Sequence, residues 1–186
     1  MSMLIQFAKA LVFACERHSE HRRKGAAQEP YVNHLAEVAL MAAEVTGGRD
    51  PSLVIAALLH DTLEDTATTY AELAGQLGED VGALVQEVTD DKSLAWADRK
   101  RLQVERAPFK SHRAKVIKLA DKVSNLRSIA QSPPQDWGPD KRAAYVDWAE
   151  QVAGGLTGGN SVLEAEFARA AAAARAAIEA DRQRGR

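Results

Sequence analysis

This chain lacks both the paired cysteines that would form internal disulfides and the long apolar runs that would span a membrane. Its single cysteine, Cys15, excludes an internal disulfide framework. Cys15 follows Leu4, Ala8 and Leu11 at helical spacing, and this pattern predicts a buried thiol that packs as a small apolar group. The same spacing favours a packed helix over a signal peptide, and no apolar run approaches the roughly 20 residues of a membrane-spanning helix. We therefore expect a cytoplasmic protein without a membrane partner.

Neither sign of charge dominates the sequence. Lysine and arginine number 24 against 26 aspartates and glutamates, which gives a formal net charge of −2. Such a balance provides no global attraction to nucleic acid, so we expect no nucleic-acid partner. An anionic substrate would need a local basic patch or a metal ion. With 186 residues, the chain is long enough for a substantial core, and we expect one domain spanning residues 1–186.

Apolar residues recur with helical rather than strand periodicity along the chain, which predicts an all-α fold. Helix starts are marked by capping residues and prolines, as at Asp50-Pro51, and Ser161 with Glu164 fits a capping box. The alanine-rich helix that follows Ser161 is expected to serve packing. The predicted helices span about residues 3–17, 30–46, 51–65, 69–78, 79–89, 96–106, 111–130, 139–154 and 161–180.

The most informative stretch is Leu53–Asp65, which reads LVIAALLHDTLED. Seven uninterrupted apolar residues predict a buried helix, where isolated charges are costly without a cation, a partner or water. Four polar residues follow at once: His60 and Asp61, then Glu64 and Asp65, which a continuous helix would align in pairs four apart. Crowded carboxylates repel one another unless a cation or a proton relieves them. This stretch therefore indicates a metal site with a water molecule beside it.

Two more residues are candidates for the same site, but their position alone does not decide their role. His34 lies on the interior face of the second helix, where a histidine is more often a hydrogen-bonded core residue than a ligand. Asp121 lies opposite the apolar stripe of its helix. That side is either solvated, as the nearby Lys118 and Lys122 would favour, or it lines a cleft.

Two imidazoles and two carboxylates would make a mixed set of nitrogen and oxygen ligands. Such a set suits Mn²⁺ or Fe²⁺, with Zn²⁺ as an alternative. A divalent ion lowers the pKa of its water and polarises a phosphoryl oxygen, and Glu64 or Asp65 would then orient or deprotonate that water. This chemistry fits hydrolysis of a phosphoester or pyrophosphoester. The set would consist of His34, His60, Asp61 and Asp121.

Longer motifs around these residues carry a resemblance to a known family. The order of His34, the His60-Asp61 pair and Asp121 is similar to that of the HD-domain metal-dependent phosphohydrolases. More specifically, the chain resembles the hydrolase domain of RelA/SpoT homologues, and among them the small alarmone hydrolases of the metazoan-homologue type, over about residues 4–164. The motifs that carry this likeness are YVNH at 31–34, ALLHDTLEDT at 57–66, QEVTDDK at 86–92, RKRLQVE at 99–105 and KLADKVSNLR at 118–127.

The resemblance implies an all-helical HD domain that removes the 3′-pyrophosphate from guanosine tetra- and pentaphosphate, with Mn²⁺ as the usual metal. It implies that Arg23 stacks against the guanine base, which a planar guanidinium does well. The implied roles are metal binding for His34, His60, Asp61 and Asp121, activation of water for Glu64 and Asp65, and contact with the guanine nucleotide for Arg23, Lys24, Asn125, Ser128 and Tyr145.

Several features leave other readings open. The loop at residues 25–29 departs from the family pattern, and Tyr145, close to Trp148, fits a core position equally well. An HD phosphohydrolase could act on another nucleotide, such as a nucleoside monophosphate, a deoxynucleoside triphosphate or NADPH. A helical protein that binds a metal or a nucleotide without turnover would be a sensor. The sequence does not fix the oligomeric state, and a homodimer is one alternative. No synthetase domain is present, so we expect the chain to degrade the alarmone and not to make it.

Overall fold

The computed structural model describes residues 2–184, and the fold is all-α, as the sequence predicts. Between its first and last helices, a 3₁₀ turn at Ala107–Phe109 follows the seventh α-helix. In this part of the chain β pairing is limited to two isolated bridges, Arg22 with Pro30 and Gly25 with Pro134. The helices are α1 Met3–Arg17, α2 Val32–Thr46, α3 Pro51–Leu58, α4 Thr62–Asp65, α5 Tyr70–Leu77, α6 Glu79–Val88, α7 Trp96–Arg106, α8 His112–Gln131, α9 Pro139–Gly155 and α10 Ser161–Arg184.

Helices α3 and α8 lie at the centre of the fold. All six side chains from Leu53 to Leu58 in α3 are buried, as the unbroken apolar run predicts. Helix α8 packs against α2, α3, α6, α9 and α10. Because each fully buried large apolar side chain contributes about 1.5–3 kcal/mol, these two helices form a rigid support for the polar residues that they carry.

Several helix starts follow the local signals. The side chain of Asp50 accepts a hydrogen bond from the backbone N–H of Leu53 at 3.0 Å, and Ser111 caps α8 in the same way. The start of α10 differs from the prediction. Asn160 accepts from the N–H groups of Val162 and Leu163, at 3.0 and 3.1 Å, so Asn160 rather than Ser161 is its capping residue.

The prediction of one continuous helix through Asp65 is wrong. Helix α3 ends at Leu58, residues 59–61 form a turn, and a new short helix begins at Thr62. The Nδ1 atom of His60 bonds to the carbonyl oxygen of Ala57 at 2.8 Å, which a continuing helix would offer to the N–H of residue 61. The turn therefore separates the His60-Asp61 pair from Glu64 and Asp65.

The prediction that Cys15 is buried is also wrong, because this residue is exposed. Helix α1 contacts the core through the neighbouring edge formed by Ala10, Phe13 and Ala14. The predicted stripe runs along the solvent side, where Leu4 is 75% exposed. Within residues 2–184, no helix combines the length and the apolar composition that a membrane crossing requires.

Candidate active site

Three elements converge on one buried polar cluster. Helix α2 supplies His34, the turn after α3 supplies His60 and Asp61, and α8 supplies Asp121. The Nε2 atom of His34 lies 3.4 Å from an oxygen of Asp121 and 3.6 Å from Oδ2 of Asp61. The Nε2 atom of His60 lies 3.1 Å from Asp61 and 3.8 Å from Asp121. The sequence thus identified side chains that lie as far apart in the chain as His34 and Asp121 but come together in the structure.

The two imidazoles are held with their metal-binding nitrogens directed into this cluster. His34 donates from Nδ1 to Ser124 Oγ at 2.8 Å, since that hydroxyl itself donates to Glu37 at 2.5 Å. His60 donates from Nδ1 to the Ala57 carbonyl oxygen at 2.8 Å. Both Nε2 atoms are buried and have no hydrogen-bond partner in the described structure. Because a neutral imidazole that donates from Nδ1 offers a lone pair at Nε2, the pair fits a divalent ion.

Carboxylates complete a set that can hold a cation. His34, His60 and Asp121 each offer a ligand atom, and these atoms lie within 4.8 Å of one another. Asp61 borders both imidazoles, and its Oδ2 accepts a hydrogen bond from the Tyr31 hydroxyl at 2.6 Å. This arrangement is typical of a divalent-metal centre with nitrogen and oxygen ligands.

The charges in the cluster compensate one another strongly when protein groups alone are considered. Burial would lower the pKa of His60, but Asp61 and Asp121 raise it to about 10. Burial would raise the pKa of both carboxyls, but His60 holds that of Asp61, and Lys122 that of Asp121, well below the usual range. The Lys122 ammonium donates to Asp121 at 2.7 Å. Among the protein groups alone, protonated His60 and Lys122 therefore balance the anionic carboxylates, and a divalent ion at the same place would take over this role from the His60 proton.

Glu64 and Asp65 lie beside the cluster but face other partners. Glu64 accepts a hydrogen bond from the Asp90 backbone N–H at 3.3 Å and lies 3.6 Å from the guanidinium of Arg99. Burial, followed by the charges of Asp90 and Asp61, raises the pKa of Glu64. Asp65 pairs with Lys92. A carboxyl with a raised pKa next to a metal site is suited to accept a proton near neutral pH.

A second part of the site is a cavity of about 290 Å³ between the loop after α1 and helices α7, α8 and α9. All five residues that the family resemblance connects with the nucleotide line it: Arg23, Lys24, Asn125, Ser128 and Tyr145. Burial raises the pKa of Tyr145 to about 12, so its hydroxyl stays protonated and can donate. Basic, amide and aromatic groups on one wall are suited to a nucleotide with several phosphates.

The cavity is joined to the buried cluster by a chain of hydrogen bonds. Arg23 donates to the side-chain oxygen of Asn125 at 3.0 Å, and the Asn125 amide donates to Asp121 at 2.6 Å. Tyr31 lines the cavity and also bonds to Asp61. The two parts therefore form one site, with the basic loop of Arg22, Arg23 and Lys24 at one end and the polar cluster at the other.

Sequence reasoning missed several residues of this site. The lysines that favoured a solvated face for Asp121 are buried, and Lys118 donates to the carbonyl oxygen of Val88 at 2.9 Å. The cleft alternative is therefore the one that the structure shows. Tyr31 and Lys100 also border the site. Both stand in motifs that the sequence offered, YVNH and RKRLQVE, but periodicity gave no sign that their side chains reach the cleft.

Comparisons with known proteins agree with this geometry. The family model of the HD domain matches residues 10–146. The guanosine-3′,5′-bis(diphosphate) 3′-pyrophosphohydrolase of Xenopus tropicalis is 46% identical over 159 residues, which are 86% of this chain and 89% of that protein. The human enzyme of the same name has the same identity and coverage. The solved structure of a metazoan ortholog of SpoT that hydrolyzes ppGpp matches with a TM-score of 0.86 and 41% identity, over 89% of this chain and 93% of that one. This chain therefore belongs to the HD-domain family, together with these metazoan pyrophosphohydrolases.

Proposed function

We infer that this protein is a guanosine-3′,5′-bis(diphosphate) 3′-pyrophosphohydrolase, which converts ppGpp to GDP and pppGpp to GTP, with pyrophosphate as the second product. The main support for this conclusion is that a suitable metal site and a suitable nucleotide cavity adjoin in one cleft. A buried pair of unpartnered imidazole nitrogens lies beside anionic carboxylates, and a basic and aromatic cavity opens from it. Relatives that share 46% of their residues over most of their length carry the same activity in their names.

The metal centre of this enzyme would hold one divalent ion through His34, His60, Asp61 and Asp121. Two neutral imidazoles and two carboxylates favour Mn²⁺, with Fe²⁺ and Zn²⁺ as alternatives. When bound, such an ion supplies Lewis acidity and makes water more acidic. The support for Asp61 is its position, 3.1 Å from His60 Nε2, and the hydrogen bond from Tyr31 that orients it.

The proposed general base is Glu64. Water adds to the phosphorus on the ribose 3′ oxygen, the bond between that phosphorus and the 3′ oxygen breaks, and this oxygen takes up a proton. Glu64 is suited to remove the proton from water, since burial and the charge of Asp90 raise its pKa toward neutrality. Asp65, held by Lys92, would support the same step by orienting the water molecule.

The nucleotide would lie along the cavity. The guanidinium of Arg23, fixed by its hydrogen bond to Asn125 at 3.0 Å, offers a flat face for the guanine base. Lys24 would bind phosphate oxygens, while Ser128 and Tyr145 would donate hydrogen bonds to the ribose or phosphates. The ligand of this enzyme is thus a small-molecule guanine nucleotide.

We also propose that residues 1–186 act as one HD hydrolase domain. Helix α10 packs mainly against α8, the helix that carries Asp121, and also against α9 and α2. Its side chains Leu163, Phe167 and Ile178 belong to the same apolar core as α3. The part that resembles the HD hydrolases spans about residues 4–164, and the alanine-rich helix after it would serve packing of the domain.

Product analysis tests the proposed function. Metal-free protein is incubated with guanosine 3′,5′-bisdiphosphate, with and without Mn²⁺, and the products are separated. We expect GDP and intact pyrophosphate, only when metal is added, and no products from the Asp61→Ala variant. Release of orthophosphate, or turnover of a nucleoside monophosphate, a deoxynucleoside triphosphate or NADPH instead, would show a general HD phosphohydrolase. Metal binding without turnover of any nucleotide would show a sensor.

A further inference from the structure

A lysine opposite the basic loop lies on a platform of aromatic rings. The ammonium of Lys100, in α7, is 3.2 Å from the centre of the Trp148 ring, 5.3 Å from that of Tyr145 and 5.7 Å from that of Trp96. Lys100, Trp96 and Tyr145 line the nucleotide cavity. An aromatic face attracts a cation, but it neither neutralises the charge of an ammonium nor accepts hydrogen bonds from all three of its N–H groups. The ammonium of Lys100 therefore keeps donor capacity for an anion bound in the cavity that it lines.

Trp148 fixes both ends of this lysine. Its indole N–H donates to the backbone carbonyl oxygen of Lys100 at 3.1 Å, while its ring lies against the ammonium of the same residue. Helix α7 has no fully buried residue, and it packs mainly against α9. The position of the ammonium is set by α9. A long side chain held in this way loses little further freedom when it binds a ligand.

The Lys100 ammonium lacks an acidic partner in residues 2–184, since no ion pair or hydrogen bond joins it to any of them. Burial, followed by repulsion from Lys122, lowers the pKa of Lys100 to about 7, although Asp121 and Asp90 act in the opposite direction, so an anion bound beside Lys100 would stabilise its charged form. Lysines in folded proteins normally find a carboxylate or water when they are partly buried. A cation on an apolar platform, next to a second cation, is a receptor for an anion.

The location indicates which part of the substrate this anion is. The Lys122 ammonium lies 4.9 Å from the centre of the same Trp148 ring and donates to Asp121 of the buried polar cluster at 2.7 Å. Lys100 is thus at the end of the cavity that adjoins the cluster, whereas Arg22 and Lys24 line its loop end. The phosphorus under attack must lie at the cluster, so the phosphate next to it in the substrate reaches the aromatic platform.

We propose that Lys100 is a specificity-determining residue that binds the terminal phosphate of the 3′-diphosphate, held for this purpose by Trp148. The proposal rests on the proposed function. Its consequence is that the enzyme recognises the pyrophosphoryl group being transferred to water separately from the guanosine 5′-diphosphate part. Loss of the lysine should weaken binding of the first part and leave the second unchanged.

The test uses the full-length, Mn²⁺-loaded protein and the two products as ligands. Calorimetry measures binding of pyrophosphate and of GDP to the unchanged protein and to Lys100→Met, which keeps the length of the side chain but removes its charge. We expect pyrophosphate to bind about 10- to 100-fold more weakly, the usual range for one charge-assisted hydrogen bond, and GDP to bind equally well. The KM for ppGpp should rise by a similar factor.

Two further variants separate this role from a structural one. Lys100→Arg keeps the charge and should recover most of the pyrophosphate affinity, and it also serves if Lys100→Met does not fold. Arg101→Met, on the same helix but 56% exposed and paired with Asp98 and Glu105, is the matched control and should bind pyrophosphate normally. Unchanged pyrophosphate binding in Lys100→Met, or equal losses for pyrophosphate and GDP, would overturn the proposal. Because binding of pyrophosphate does not need turnover, these outcomes remain decisive even if ppGpp proves not to be the substrate.

Discussion

Hydrogen bonds to neighbouring residues orient the individual side chains of this site. His34 is oriented through Ser124 and Glu37, His60 through a backbone carbonyl, and Asp61 through Tyr31. The imidazole protons are thereby kept away from the cluster, which leaves the lone pairs for a metal. That His34, His60, Asp61 and Asp121 belong to one site was predictable from the sequence, because motif order carries that information. The supporting residues were not, since nothing local connects Ser124 to a histidine 90 residues earlier.

The support of His34 can be tested by Ser124→Ala. Without the hydroxyl, Nδ1 loses its acceptor, and the imidazole is free to adopt the other tautomer or to rotate. We expect the affinity for Mn²⁺ to fall by about 10- to 100-fold, as is usual when an outer hydrogen-bond partner of a ligand is removed. Titration of metal-free protein with Mn²⁺ measures this directly. Ser128→Ala on the same helix is the control, and an equal loss there would argue against a specific role of Ser124.

Metal binding and water activation should separate between two acidic residues. Asp61→Ala removes a proposed ligand, so both the ion and the activity should be lost. Glu64→Ala removes only the proposed base, and we expect metal content to stay normal while kcat falls by about 10²- to 10⁴-fold. Metal analysis and kinetics on the same preparations make this comparison. An unchanged kcat in Glu64→Ala would exclude this carboxylate as the base.

The pH dependence should follow the electrostatics around Glu64. A general base works only when deprotonated, so activity falls as the pH drops through its pKa. Burial is the largest cause of the raised pKa of Glu64, and the charge of Asp90 is the second. Removing the charge of Asp90 should therefore lower this pKa. We therefore expect Asp90→Asn to move the acid limb of the kcat/KM profile to lower pH. Asp91→Asn, which removes an exposed carboxylate bound to Ser93, should leave the limb in place, and a shift to higher pH in Asp90→Asn would contradict this assignment.

At the scale of helices and loops, sequence signals predicted starts better than interruptions. Caps such as Asp50 are local, so they can be read from neighbouring residues. The turn at residues 59–61 is not, because His60 takes a backbone carbonyl that the helix would otherwise use. Burial of the charged Lys122 likewise depends on the tertiary structure, which places the Trp148 ring 4.9 Å from its ammonium. Both failures lie at the site, where local preference yields to the geometry that the chemistry requires.

The basic loop gives a prediction at this scale. Gly25 is bridged to Pro134, and an added Cβ would come within 2.2 Å of the Ser132 carbonyl oxygen, a backbone atom that cannot turn aside. Gly25→Ala should therefore displace the loop that carries Arg23 and Lys24. We expect the KM for ppGpp to rise about 10-fold or more, with a much smaller change in Mn²⁺ affinity, since a small misplacement of a binding group has effects of this order.

Steady-state kinetics and metal titration of the Gly25→Ala variant provide the readout. Gly138→Ala is the matched control, because no atom lies within 4 Å of the Cβ that it would add. Normal KM values in both variants would show that the loop adapts without loss of substrate contacts.

For the whole molecule, the C-terminal helix is the part whose importance the sequence understated. Ile178 is 2% exposed and lies near the end of α10, close to residue 180, where the helix was predicted to end. We expect Ile178→Ala to lower the free energy of unfolding by about 2–4 kcal/mol, as for other large side chains removed from a core. Denaturant unfolding measures this change. Val162→Ala, at a side chain that is 59% exposed, should change it by less than about 0.5 kcal/mol, and equal effects would show that α10 does not share the core.

The chain of hydrogen bonds from Arg23 through Asn125 to Asp121 has a thermodynamic consequence. We expect a nucleotide that binds Arg23 to change the orientation of Asp121, and an ion bound at Asp121 to change the hydrogen bond between Asn125 and Arg23. The affinities for the two ligands are then heterotropically linked, and each must change the other by the same factor. We expect Mn²⁺ to bind more tightly when a non-hydrolysable nucleotide is present. The activity of such an enzyme depends on the concentrations of both the metal ion and the nucleotide, so it falls when either one is scarce.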